Sequence, residues 1–185
     1  MTTHGKILVT GAVLVTSWLI QFAAAQVKQD APPAPVPAQI ASAHRVFIAN
    51  AGGDDPTVGE PLLTPYFSGG IDRPYNQFYA GIKGSGRYEL VGSPAEADLL
   101  FEIRFAMMPA WSTHGEGGWC AYDPQLRLEI RDAKTNSLLW AFTEHANCAI
   151  LEGNRNKNLN QALARIVSDA LGLGSRATAS AQAKP

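Results

Sequence analysis

The chain has 185 residues, enough for one domain with a real core after its tails are set aside. Hydrophobic residues make up 46% and charged residues 17%, and the formal net charge is −1. That balance excludes a disordered polyelectrolyte and carries no basic footprint for nucleic acid.

The chain begins MTTHGKILVTGAVLVTSWLIQFAAAQ, with Lys6 ahead of an apolar run from Ile7 to Phe22. Ala23, Ala24 and Ala25 then supply small residues before Gln26. A charged start, an apolar middle and a small-residue site predict a secretory signal peptide over residues 1–25, cleaved after Ala25. Thr10, Thr16, Ser17 and Gln21 interrupt the run and argue against a retained membrane span. No cysteine stands at the cleavage point to take a lipid, so the expected product is periplasmic or secreted, with no transmembrane segment after cleavage.

Residues 26–43 are rich in Pro and Ala without apolar periodicity and read as a linker. Residues 44–173 carry the folding patterns, and residues 174–185 read as a disordered tail. Arg45–Asn50 is a short β-rich run. A helix is expected from Asp72, with Pro74 in its first turn, Tyr75, Phe78, Tyr79 and Ile82 on its apolar face, and Gly84 as its stop. Tyr88–Val91 is a brief strand. One turn from Ser93 leads into a strand over Asp98–Phe105, in which Leu99, Phe101, Ile103 and Phe105 alternate with more polar neighbours.

The clearest hairpin follows. Leu126, Leu128 and Ile130 alternate with Arg127, Glu129 and Arg131. Asp132 opens the turn, and Asn136 suits its left-handed position. Leu159, Ala162, Leu163, Ile166, Val167, Ala170 and Leu171 form the apolar stripe of a closing helix that Gly172 or Gly174 ends. The expected fold class is α+β, a mixed sheet of four to five strands in β-α-β-β-β-β-α order, with two helices packed on one face.

The two cysteines, Cys120 and Cys148, flank the hairpin at nearly equal distance from its turn. A register that faces Ile130 with Leu138, Leu128 with Trp140 and Leu126 with Phe142 also sets Cys120 opposite Cys148. A bulge at Asn136 would slide that pairing by a residue or two. Cross-strand neighbours lie within reach of a disulfide, and an exported protein keeps one. In the chain-entropy picture a loop of this size is worth about 3–4 kcal/mol. The lack of a Cys-x-x-Cys spacing argues against redox chemistry.

No catalytic pattern is present: there is no G-x-S-x-G, Walker or dinucleotide-binding motif. Lys83 in GIKGSG follows a helix and cannot aim backbone amides at a phosphate. His114 with Glu116 sits among glycines that fix no ligand geometry, so neither metal nor cofactor is expected. His145 could pair with Cys148, but a disulfide would remove that nucleophile. A hydrolase is the distant enzymatic alternative. The stretch MMPAWSTHGEGGWCAY is richer in possibility. Met107, Met108, Trp111, His114, Trp119 and Tyr122 could form an adaptable binding loop, or its aromatics could fold back over the sheet edge.

At Ala97-Asp98, at the Asp132, Thr135, Asn136 turn and at Trp140, the chain resembles a group of bacterial envelope domains. They include the amino-terminal domain of the Tol translocation protein B, the curli-secretion and penicillin-binding-protein-activator lipoproteins, and uncharacterised exported domains. The resemblance implies a mixed sheet with two helices on one face and a role in envelope assembly or partner docking. Together these readings give a non-enzymatic exported envelope protein that binds an envelope protein. The alternative is a small-molecule or glycan-binding module using the Trp111–Trp119 loop.

Overall fold

A computed structural model describes residues 34–53, 67–109 and 122–182. In chain order they form α1 (Ala38–Ser42), β1 (Arg45–Gly53), α2 (Arg73–Ser85), β2 (Glu89–Leu90), a 3-10 turn (Pro94–Glu96), β3 (Leu99–Pro109), β4 (Tyr122–Asp132), β5 (Leu138–His145) and α3 (Glu152–Gln182). The strands make a five-stranded sheet in the order β2-β1-β3-β4-β5. β1 runs parallel to β2 and β3, and β3, β4 and β5 form an antiparallel meander. This is the expected α+β architecture, with one more short helix.

Side-chain alternation decides which face is buried. Val46 and Ile48 of β1, Leu99, Phe101, Ile103 and Phe105 of β3, and Leu126, Leu128 and Ile130 of β4 point to one side and are buried there. Phe78 and Ile82 of α2 and Leu159, Ala162, Leu163, Ile166 and Ala170 of α3 meet them in a single core. Phe78 and Phe101 bring their rings to 6.4 Å across the layers.

α2 starts at Asp72 as expected, with Pro74 in its first turn, but it passes through Gly84 and stops at Gly86. Gly86 adopts φ 66°, the left-handed conformation that closes a helix at least cost for glycine. The stripe of α3 is buried as read, yet the helix continues to Gln182, past Gly172 and Gly174. Neither glycine has a positive φ, so neither acts as a stop. The other face of α3 is not free, because Asn156 and Asn160 accept hydrogen bonds from Arg73 at 2.6 and 2.7 Å and tie α3 to the start of α2.

Two further expectations change. Residues 38–42, read as linker, are helical, and Ile40 is fully buried in the core. The hairpin register also slides by two residues. Ile130 faces Trp140, Leu128 faces Phe142, and Leu126 faces Glu144, with an irregularity beside the turn between Ile130 and Arg131. The cause is local. Asn136 takes φ 55°, and the Asp132 carboxylate accepts from the Lys134 and Thr135 amides at 2.9 and 2.8 Å, which closes a longer turn.

Candidate functional site

Among the described residues all three helices pack on one side of the sheet, and none packs on the other. That second face is built from the alternate residues of β3, β4 and β5. Arg104 stands directly opposite Arg127, and Glu102 directly opposite Glu129. Like charges in directly opposed positions repel, so this arrangement needs diagonal partners. Arg131 supplies one of them. Its guanidinium donates to Glu129 at 2.5 Å and to Glu102 at 2.9 Å. The hydrogen bond to Glu129, with Glu102 beside it, holds Arg131 above the ordinary arginine pKa.

A second chain of contacts runs toward the other end of the hairpin. Arg127 donates to the Gln125 side-chain oxygen at 3.2 and 2.9 Å, Gln125 donates to Asp123 at 2.7 Å, and His145 Nδ1 lies 2.9 Å from an Asp123 oxygen. The partner that anchors Arg127 is therefore a neutral amide. Between the two networks lies an open groove of about 380 Å³. Ala51, Ala106 and Met108 form its apolar lining, and Glu102, Arg104, Arg127 and Glu129 its charged lining. Such a surface can bind: it offers the Arg127 guanidinium beside an apolar floor. The His145–Asp123 pair has no described nucleophile against it. Among the described residues no group of three His, Cys, Asp or Glu side chains could hold a metal ion.

Of the residues expected to form a binding loop, three are described. β3 runs on to Pro109 and β4 begins at Tyr122, so Met107, Met108 and Tyr122 are strand residues. Met107 turns into the helix-side core, Met108 is exposed on the open face, and Tyr122 is exposed across the ladder from Pro109. Trp111, His114 and Trp119 lie outside the described residues, as does Cys120. Cys148 is half-buried just beyond β5. His145, considered as a partner for Cys148, binds Asp123 instead.

The aspartates behind the family resemblance have structural work. Asp98 accepts from the His44 and Arg45 amides, both at 2.9 Å, and clamps the start of β1 to the start of β3. Those two backbone hydrogen bonds, Arg45 first, lower its pKa. Asp132 is lowered by the Thr135 amide and then the Lys134 amide in the hairpin turn. The open-face groove was missed in the sequence. Alternating Arg and Glu on β3 and β4 was its trace, but which residues stand opposite depends on register.

No protein-family model matches the chain, and no curated protein is similar to it at a significant level. Some solved structures are similar to it at low identity. A family DUF330 protein from Xanthomonas campestris is 13% identical, over 80% of this chain and 94% of its own, with a TM-score of 0.45. A DUF4136 family protein from Bacteroides thetaiotaomicron is 12% identical, over 78% of this chain and 94% of its own, with a TM-score of 0.46. Lipoprotein GNA1162 from Neisseria meningitidis is 10% identical, over 70% of this chain and 99% of its own, with a TM-score of 0.33.

Proposed function

We propose that the chain is a non-enzymatic exported envelope protein whose domain docks an acidic protein segment on its helix-free sheet face. One observation carries the reading. Arg127 is anchored by the neutral Gln125, while Glu102 and Glu129 are engaged by Arg131 and Asp123 by Gln125 and His145. The groove thus keeps guanidinium charge beside an apolar floor, a match for carboxylates alternating with small apolar side chains. The envelope location rests on the signal-like start ending at Ala25 and on the Tol- and curli-like motif residues. No helix among the described residues is long and apolar enough to cross a membrane.

The test titrates the mature domain with a labelled peptide alternating glutamate and valine, at low and high salt. Binding should weaken with salt, and Arg127→Gln should weaken it at least tenfold while the thermal melt holds. A peptide that binds wild type and variant alike would overturn the reading. So would absence of peptide binding with tryptophan quenching by envelope glycans, which would move function to the Trp111–Trp119 loop. Intact mass of the exported protein should begin at Gln26, and a full-length species in the membrane fraction would overturn export.

A further inference from the structure

The two edges of the sheet differ in kind. β2 is a two-residue edge, too short to template another strand, whereas β5 runs for eight residues along the other edge. Its ladder phase shows what it offers. Ala146 donates to the Pro124 carbonyl at 2.9 Å in the same register that pairs Leu126 with Glu144 and Leu128 with Phe142. Antiparallel bonding alternates, so Trp140, Phe142 and Glu144 turn their backbone groups toward β4. Ala141 and Thr143 therefore turn theirs outward, whereas Leu139, the extra residue where the register shifts, packs against the core. At the far end the edge is already closed, because Arg165 of α3 donates to the His145 carbonyl at 2.8 Å.

Soluble proteins guard long edges with lysine, proline, a bulge or an inward charge. From Trp140 to Thr143, WAFT, there is no charged residue, proline or glycine, and the register irregularity, with Leu139 as the extra residue of β5, falls just before this run. The run is also complementary to itself. An antiparallel copy placed about a two-fold axis through Ala141 sets Ala141 beside its own counterpart and Thr143 toward the Leu139 bulge of the second copy. On the helix side it sets Trp140 opposite the second copy's Phe142, extending an aromatic pair already 6.4 Å apart within one chain. Leu138 of one copy then lies toward the Ile150–Leu151 end of the other, and these three are 53%, 71% and 67% exposed. No like charges meet. Glu144, opposite Leu138 of the second copy, is already neutralised by Arg165 at 2.6 Å.

We infer that two copies of this chain join edge to edge through β5, making one continuous sheet across a two-fold axis at Ala141. About two to four backbone hydrogen bonds close the seam, two from the Ala141 pair and the rest from Thr143 on either side of it. The open face that carries the groove would then run across both copies.

Sedimentation velocity of the mature protein over a wide concentration range tests this, with Ala141→Lys and Ala141→Pro as variants. Both act on the outward side, so the bonds of β5 to β4 remain, and circular dichroism should stay native. Wild type should dimerise, and each variant should do so at least tenfold more weakly. If a variant does not fold, amide exchange of wild type decides. Ala141 and Thr143 should be protected at dimerising concentration and exchange freely on dilution. A wild-type monomer at every concentration would refute the seam. So would a dimer that neither variant weakens, or edge amides protected only by an added peptide.

Discussion

Replacing Ile166 with alanine probes the interface on which the two-layer arrangement depends. Ile166 is 0% exposed, midway along the buried stripe of α3, in the core shared with β3 and β4. The change removes three carbon atoms. At about 0.8 kcal/mol for each buried methylene-sized group, the transfer term alone is roughly 2.4 kcal/mol. If α3 cannot settle inward, the cavity brings the loss to about 4 kcal/mol. Its settling is restrained, because Arg73 holds Asn156 and Asn160 and Arg165 holds Glu144. The upper half of that range is therefore expected. Urea unfolding followed by circular dichroism should show a lower midpoint with an unchanged slope, and the melting temperature should fall by about 5–15 °C. Ser168→Ala, at an exposed position of the same helix, should stay within about 0.5 kcal/mol. A loss below about 1 kcal/mol for Ile166→Ala, or equal losses for both variants, would refute the packing.

Tyr88 is 5% exposed and its hydroxyl has no hydrogen-bond partner among the described residues. Tyr88→Phe should therefore leave stability unchanged or raise it by up to about 2 kcal/mol, and a clear drop in a thermal melt would show that the hydroxyl is satisfied. Asp98 and Asp132 have depressed folded pKa values. Their contribution is present above the unfolded carboxylate value, about 3.9, and is lost as pH falls through the folded value. The melting temperature should hold from neutral pH to about 5 and drop below about 4. Asp98→Asn should flatten part of that drop, and an identical acid profile would count against the clamp. The proposed Cys120–Cys148 disulfide predicts almost no reactive thiol in denatured, unreduced exported protein, where two titratable thiols would exclude it.

The elements were legible where one physical signal dominated. β3 and β4 alternate cleanly because one face is buried, and α3 carries its stripe at helical spacing. The turn at Asp132 and Asn136 was legible because few residues tolerate a left-handed backbone. Register was less so. Sliding the hairpin by two residues keeps every side chain on its face, so the pattern of Leu126, Leu128 and Ile130 fits both alignments. Turn hydrogen bonds chose between them. α1 escaped notice because its five residues owe their order to burial of Ile40, not to local propensity. The groove required knowing that Arg104 and Arg127 share one rung, a fact of tertiary pairing.

The mixed topology also orders the folding reaction. β3, β4 and β5 are joined by near neighbours, whereas β1 reaches its place only by closing a loop of more than fifty residues onto Asp98. Loop closure must precede the reward of non-local contacts. The meander should therefore be in place at the rate-limiting step, with β1 docking afterwards. A cut in the Asp98 clamp would then speed unfolding and leave the refolding rate almost untouched, whereas Leu128→Ala would slow refolding. Stopped-flow chevrons of Asp98→Asn and Leu128→Ala separate the two, and a slowed refolding arm for Asp98→Asn would put β1 in the nucleus. Until β1 arrives, the inner edge of β3 stands open in the refolding chain, and the Asp98 carboxylate is the latch that shuts it.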